Sequence, residues 1–538
     1  MPTTATTPIN VDVLLQELHA HPDMDFVADL ITGLREGFHT GIRREPSATF
    51  ECKNLLSARS QPHIVQDIIE QEKQKGFLIG PFDSSPYPIY RVNPIGIVEG
   101  KYSRKKRLIV DLSAPHNDQE HSSLNSLIDK QEFSLKYVKV DDAIKTIRKA
   151  GTGAWLCKFD ICDAFKLIPI HPSLWPLHGI KWNNQYYFYV RLVFGSRSSP
   201  KIFTKLSEAI SWIAVNNYGI NNVLYLLDDF LTIDHPHHMA DRTMAIMTML
   251  FARLGIPLAS HKTLGPTTCL EYLGVLLDTL AMQAKLPEEK IDRIRILLTE
   301  FLKTKSVTKR ELLSLLGHLN FACRVNVPGR TFVSYLLQIS TSVRELHHHI
   351  HVSSACKKDL QMWSGFLNQW NGISLFYDDD ISNSADMELY TDASGSVGFG
   401  GYFRGRWFAN SWPEELRPLV THKLSIAFCE LYPIVVAAVL WGHEWQQKKI
   451  LFHCDNETTV AIIKKGRSKS PDIMKLMRRL TLTAATNGFV IYAEHIPGKK
   501  NAIADALSRL QVARFRQLAP AAEEQPCECP PPARLLIT

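Results

Sequence analysis

The sequence predicts a multidomain protein that combines α+β and α/β architecture. Three observations predict it. At 538 residues the chain exceeds what one core organises and should divide into about three or four domains. Short β-branched or aromatic runs that each lead into a carboxylate recur in both halves: Trp155–Phe159 before Asp160, Val223–Leu227 before Asp228, Met387–Thr391 before Asp392, and Ile450–Cys454 before Asp455. Stretches of helical periodicity separate these strand candidates, and a polar run, Asp378–Asp386, reads as the linker between the halves.

Residues 1–60 contain two helical patterns, Val11–Leu18 and Phe26–Leu34, broken by Gly33, Gly37 and Gly41, and form an N-terminal extension without assigned chemistry. Pro62–Gly76 is an amphipathic helix with Ile64, Val65, Ile68 and Ile69 on one face. Ile95–Val98 and Arg107–Val110 are strands around the basic tip Glu99–Lys106, which reads as a solvated charged turn, a nuclear-import run or a phosphate-gripping hairpin. A helix near Val140–Ala150 precedes the Asp160 strand. Pro200–Tyr218 and Met239–Leu254 are helices, the second stopped by Gly255. Leu270–Leu277 is a hairpin with Leu273 and Gly274 at its turn. Glu288–Lys303 and Thr308–Ala322 are helices, the latter with Thr308 as N-cap and Glu311 three residues on. His347–His351 reads as a solvated helix face. Ile426–Leu440 is a strongly apolar helix despite Pro433, and it carries Glu430.

The carboxylates carry the chemistry. Asp228 and Asp229 sit between two apolar runs, expected at a hairpin turn, where burial is costly unless a cation neutralises them. Mg²⁺, which takes carboxylate and phosphate oxygens, would do so. Asp160, with Phe165 five residues on, the Leu192–Phe203 segment through Gly195, and the Leu-Leu-Asp-Asp hairpin together resemble the catalytic motifs of reverse transcriptases, in order and at family spacing. In the C-terminal half, Asp392, Glu430, Asp455 and Asp505, separated by 38, 25 and 50 residues, with His495 ten residues before the last acid, resemble the ribonuclease H set. Within this family the chain looks closest to the polyproteins of DIRS-type retrotransposons, on Phe194-Gly195, Val325–Arg330 and Trp363–Gly372. The alternatives are a Gypsy-type polymerase fragment and a catalytically degenerate nucleic-acid-binding relic.

The resemblance implies a right-hand polymerase of fingers, palm and thumb, followed by a ribonuclease H-like domain with a mixed five-stranded sheet. The expected domains are 1–60 (extension), 61–280 (fingers and palm), 281–385 (thumb and connection), 386–512 (ribonuclease H) and 513–538 (Pro-rich tail). It further implies RNA-directed DNA synthesis and cleavage of RNA in an RNA–DNA hybrid. RNA template, DNA primer and deoxynucleoside triphosphates are the other implied partners. Two Mg²⁺ ions per site, with Mn²⁺ as the alternative, would be held by Asp160, Asp228 and Asp229 in one site and by Asp392, Glu430, Asp455 and Asp505 in the other. His495 would shuttle protons. Arg107 and Lys101 would meet the triphosphate, Phe165 would gate the sugar, Gly195 would position the template, and Leu273 and Gly274 would grip the primer. Lys262 reads either as a general acid or as an ordinary surface lysine. The chain departs from the family at Leu226, where Tyr is usual; Tyr225 is displaced by one.

Composition is consistent with this. Apolar residues make up 45% and charged residues 21% of the chain, an ordinary balance for soluble globular proteins. The net charge of +7 suits a nucleic-acid partner. No run approaches 18 apolar residues, so no membrane partner is expected. The N-terminus lacks a signal-peptide core, and ten scattered cysteines without zinc spacing point to reduced thiols inside the cell, in cytoplasm and/or nucleus. The sequence does not set the oligomeric state.

Overall fold

The runs read as strands pair into a four-stranded antiparallel sheet. In the computed structural model its order is Leu264–Thr267, Trp155–Asp160, Asp229–Asp234, Val223–Leu226. Leu156, Phe159, Phe230, Leu231 and Ile233 are all fully buried. Consecutive buried residues on one strand require cover on both faces of the sheet. Helices Val140–Ala150 and Ala240–Arg253 pack against it, and Ser199–Asn216 against the edge strand Val223–Leu226. The hairpin turn is Leu227-Asp228, with Leu227 at φ +55°. Asp229 was expected in the turn, but it is already the first ladder residue, paired with Leu226 on one side and Asp160 on the other. A two-residue turn closes the hairpin and leaves Asp229 in register.

The chain forms two compact units, Met1–Tyr272 and Leu273–Thr538. The structure describes residues 3–43, 46–100, 105–116, 118, 120–370, 373–376, 381–383, 386–417, 420 and 425–537. The fold is α+β and multidomain. In the first unit a mixed five-stranded sheet has the order Phe50–Glu51, Arg91–Val92, Gly179–Trp182, Gln185–Tyr189, Leu78–Phe82. The basic hairpin is present as Ile95–Glu99 paired with Lys106–Val110. Residues 1–60, expected as an extension, belong to the same core. Helices Val11–Glu17 and Met24–Glu36 bury Leu14, Leu30, Ile31 and Leu34 in it. Asn10 N–H donates to Leu254 O at 2.8 Å and Thr7 Oγ1 to Leu167 O at 2.7 Å. These helices pack on each other and bury their apolar faces against the later chain.

In the second unit Glu288–Lys303 and Lys309–Ala322 form as read, with the Thr308–Glu311 capping box in place. The histidine-rich run is not a helix face. His349–His351 is a strand paired antiparallel with Ser306–Thr308, and its alternating exposed–buried–exposed pattern is that of a strand. Helix Ser354–Trp370 buries Trp363 against Gly329, where a Cβ would stand 2.6 Å from the indole.

Beyond it, Leu389–Ala393, Gly398–Phe403 and Arg406–Ser411 make an antiparallel ladder, and Ile381–Asn383, Lys449–Cys454 and Val490–His495 a parallel one. Ile381–Asn383 falls within the run read as a polar linker. It is a sheet strand instead, paired with Lys449–Leu451; three residues are too few to show a hydrophobic period in the sequence. The Pro-rich tail is not separate either. Cys527 N–H donates to Trp407 O, Trp407 Nε1 donates to Glu523 O at 2.7 Å, and Leu535 is fully buried. One helix among the described residues is long and apolar enough to cross a membrane, Ile426–Glu444 with mean hydropathy 1.6; 78% of it is buried inside the protein. It is the central helix of this unit's core.

Candidate functional site

The first site lies at one end of the four-stranded sheet. Register places Asp229 directly opposite Asp160, and Asp228 occupies the adjoining turn, its carbonyl accepting from Ile161 N–H at 3.0 Å. Three carboxylates therefore converge on one sheet edge. Burial pushes the Asp228 carboxyl up, and the Asp160 charge adds to it. Burial pushes Asp229 up to about 6, against the pull of Lys158. Such a group of buried like charges is stable only with cations beside it. Two lysines serve here. Lys158 Nζ lies 3.3 Å from Asp229 Oδ1 and Lys262 Nζ lies 3.3 Å from Asp160 Oδ1. Lys158 was not singled out from the sequence, although it precedes Asp160 by two and so shares its face of the strand.

Phe165 is buried on the 3₁₀ turn Ala164–Leu167. Its ring packs on Phe194 at 4.7 Å and Phe203 at 5.6 Å. The displaced Tyr225 is half-buried and packs on Phe230 at 5.8 Å. Strand residues alternate faces, so a shift by one sends the ring to the face opposite Leu226.

Gly195, at φ +102°, stands where a Cβ would meet Val110 O at 2.7 Å. The turn is held by a residue with no local signal. Asn125 Nδ2 donates to Gly195 O at 2.8 Å and to Ser113 Oγ at 2.9 Å, while its Oδ1 accepts from Arg197 N–H at 2.8 Å. Asn125→Ala strips three polar groups of their partner and should cost roughly 2 kcal/mol or more. Urea unfolding checks this; a loss below about 0.5 kcal/mol would remove Asn125 as the turn's anchor.

Arg107 is exposed on strand Lys106–Val110. Lys101 lies outside the described residues. Leu273 and Gly274 both take positive φ, +48° and +79°, at the start of the second unit, and Gly274 O accepts from Lys290 Nζ at 2.6 Å.

The second site is built in the second unit. Asp392 lies in strand Leu389–Ala393, one residue before its end, Glu430 comes from the buried helix Ile426–Trp441, Asp455 follows strand Lys449–Cys454, and Asp505 lies on helix Ala502–Ser508. Oxygens of Glu430 and Asp455 and Sγ of Cys454 all lie within 4.8 Å of one another. Burial, with Asp392 and Asp455 adding, pushes Glu430 up to about 9. Burial, with Asp455 and Asp505 adding, pushes Asp392 up to about 7. Ser508 Oγ donates to Asp392 Oδ2 at 2.5 Å, and Asn501 Nδ2 to Thr391 O at 2.8 Å, so helix Ala502–Ser508 is tied to strand Leu389–Ala393. Asp505 is different. Burial opposes its charge, yet hydrogen bonds from Arg509 at 2.7 Å and Arg514 at 2.8 Å hold it below the usual carboxylate range. His495 Nε2 is 3.2 Å from Asp455 O.

The donor set fits a hard divalent cation. Carboxylate oxygens dominate both clusters, and burial with neighbouring like charge raises the proton affinity of Asp228, Asp229, Asp392 and Glu430, which a cation would relieve. Cys454 Sγ lies beside these oxygens, its thiol pushed up to about 12 by burial.

Residues 90–277 match the reverse transcriptase (RNA-dependent DNA polymerase) family. The chain is 22% identical over 409 residues to Polyprotein P3 of Commelina yellow mottle virus, a match covering 72% of this chain and 20% of the polyprotein; the chain thus spans about one fifth of the length of the curated relative it matches. Among solved structures it is similar to the foamy viral protease-reverse transcriptase dRH in complex with ds DNA (14% identity, TM-score 0.47, 92% of this chain and 83% of that one). It is likewise similar to the foamy viral protease-reverse transcriptase in complex with RNA/DNA hybrid (14%, TM-score 0.48, 92% and 64%).

Proposed function

We propose that this chain, which carries a reverse transcriptase domain over residues 90–277, is the RNA-directed DNA polymerase and hybrid-specific ribonuclease of a DIRS-type retroelement. The observation that carries the polymerase reading is the register that sets Asp229 against Asp160 with Asp228 in the adjoining turn. The ribonuclease reading rests on the second carboxylate cluster, Asp392, Glu430, Asp455 and Asp505, in a separate unit.

Substrates are an RNA template, a DNA primer, deoxynucleoside triphosphates and the resulting RNA–DNA hybrid. Bound Mg²⁺, two ions per site with Mn²⁺ as the alternative, would neutralise these carboxylates and lower the pKa of the attacking oxygen. The protein's own part is positioning and charge. Lys262, beside Asp160, is placed to donate a proton to departing pyrophosphate. Arg107 offers a planar fork to the triphosphate. Gly195, braced by Asn125, keeps a backbone turn free of side chain for the template. In the second site His495, at the Asp455 carbonyl, is the proton shuttle of this reading. Ten cysteines without disulfide partners suit a reduced compartment, cytoplasm and/or nucleus.

Phe165 is the sugar gate of this reading. A ring beneath C2′ leaves no room for a 2′-hydroxyl, the group that separates RNA from DNA precursors. The packing of Phe165 between Phe194 and Phe203 fixes that ring. Phe165→Val should therefore raise ribonucleotide use on the order of 10-fold to 100-fold in kcat/KM, a binding difference of about 1–3 kcal/mol. Single-nucleotide incorporation with dNTP and rNTP measures it. Unchanged discrimination in a folded variant would place the gate elsewhere. Primer extension on an RNA template and cleavage of a hybrid, both on the purified chain, test the whole reading.

A further inference from the structure

A cavity of about 320 Å³ lies in the second unit, lined by helix Ser354–Trp370 and by the start of helix Pro471–Asn487. Its wall holds five cationic side chains, Lys358, Arg467, Lys469, Lys475 and Arg478, and one acidic side chain, Asp359. Asp359 offsets part of that charge, and the lining keeps an excess of positive side chains. Its carboxylate is 2% exposed and engaged at the base, 3.3 Å from Arg478 Nη2 and 3.8 Å from Arg467 Nη1. Lys475 pairs with Asp472 at 3.0 Å.

Two further features aim positive potential into the same space. Both helices begin at this cavity, with Ser354 and Pro471 in its lining. The two N-terminal dipole ends therefore converge there. Arg478 is 6% exposed, lines the cavity, and its Nε–H has no hydrogen-bond partner. The cavity is several times the roughly 30 Å³ of a water molecule, enough for a tetrahedral oxyanion and its ester substituents.

We infer that this cavity is a binding site for a phosphate group, supplied either by a nucleic-acid backbone or by a free phosphate. Fork-shaped arginine donors, lysine point charges and two helix starts are the elements that recognise phosphate oxygens. The site shares no residue with the carboxylate cluster, so it goes beyond the proposed activities.

The test uses the full chain and the variant Lys358→Gln/Lys469→Gln, which keeps the buried Asp359–Arg478 pair. Titration with inorganic phosphate, read by calorimetry, should give saturable binding in the wild type and at least 5-fold weaker binding in the variant. Binding of an RNA–DNA hybrid in EDTA, measured against salt, separates the sources. If the ligand is the backbone, the slope of log K against log salt should fall by about one to two in the variant. If it is a free phosphate, the slope stays unchanged while phosphate binding weakens. Equal phosphate binding in both proteins with equal salt slopes overturns the proposal. A chain that binds no hybrid at all refutes the nucleic-acid reading, and the phosphate titration alone then decides the cavity. If the double variant fails to fold, Lys358→Gln alone supplies the same comparison.

Discussion

Asp228→Asn should lower primer extension on an RNA template by on the order of 10³-fold or more, with the protein still folded. The exchange is close to isosteric, and the turn keeps its backbone bond from Ile161 N–H to Asp228 O at 3.0 Å. What it removes is a negative oxygen where Asp160, Asp228 and Asp229 converge. Phosphoryl transfer asks the protein mainly for placement and charge neutralisation, so loss of one ligand removes much of the rate acceleration. Stability should move the other way or stay level. Asp228 is a carboxylate whose charge burial disfavours, with Asp160 adding to the cost, and a neutral amide avoids that cost. Thermal unfolding and single-turnover extension on the same preparation measure both. Near wild-type extension in Asp228→Asn would remove this residue from the site. A loss of activity that tracks a loss of fold would make its role structural.

Asp455→Asn should abolish hybrid cleavage, again by on the order of 10³-fold, and leave DNA synthesis nearly intact. Asp455 shares its neighbourhood with Glu430 and Asp392, whose proton affinity it helps to raise. On the proposed reading, the remaining carboxylates cannot complete a two-cation site without it. The polymerase carboxylates belong to the unit ending at Tyr272 and Asp455 to the unit beginning at Leu273, so no ligand is shared. Asp229→Asn should show the converse, synthesis lost and cleavage kept. Both activities are measured on both variants. Loss of both in each folded variant would mean that the two sites work as one.

Much of this was legible locally. Asp160, Asp392 and Asp455 stand at the ends of short β-branched and aromatic runs, and the period of a strand is set by backbone geometry within a few residues. The helix over Glu288–Lys303 and the Thr308–Glu311 cap were readable for the same reason, since caps and i,i+4 faces are near-neighbour chemistry. The histidine run was misread because its strand partner, Ser306–Thr308, lies some forty residues away. The linker stretch Ile381–Asn383 takes its strand identity from Lys449–Leu451.

The sequence by itself therefore determined the carboxylate sets, their order and the elements that present them. Tertiary structure alone decided their partners. Lys158 meets Asp229 only through strand register, Asn125 reaches Gly195 across 70 residues, and Ser508 reaches Asp392 across 116. It also decided that the first sixty residues and the C-terminal tail pack into their units' cores. The physical reason is one of range. Backbone geometry and capping act over a single turn or strand, whereas desolvation and charge compensation are properties of whatever the folded chain brings together.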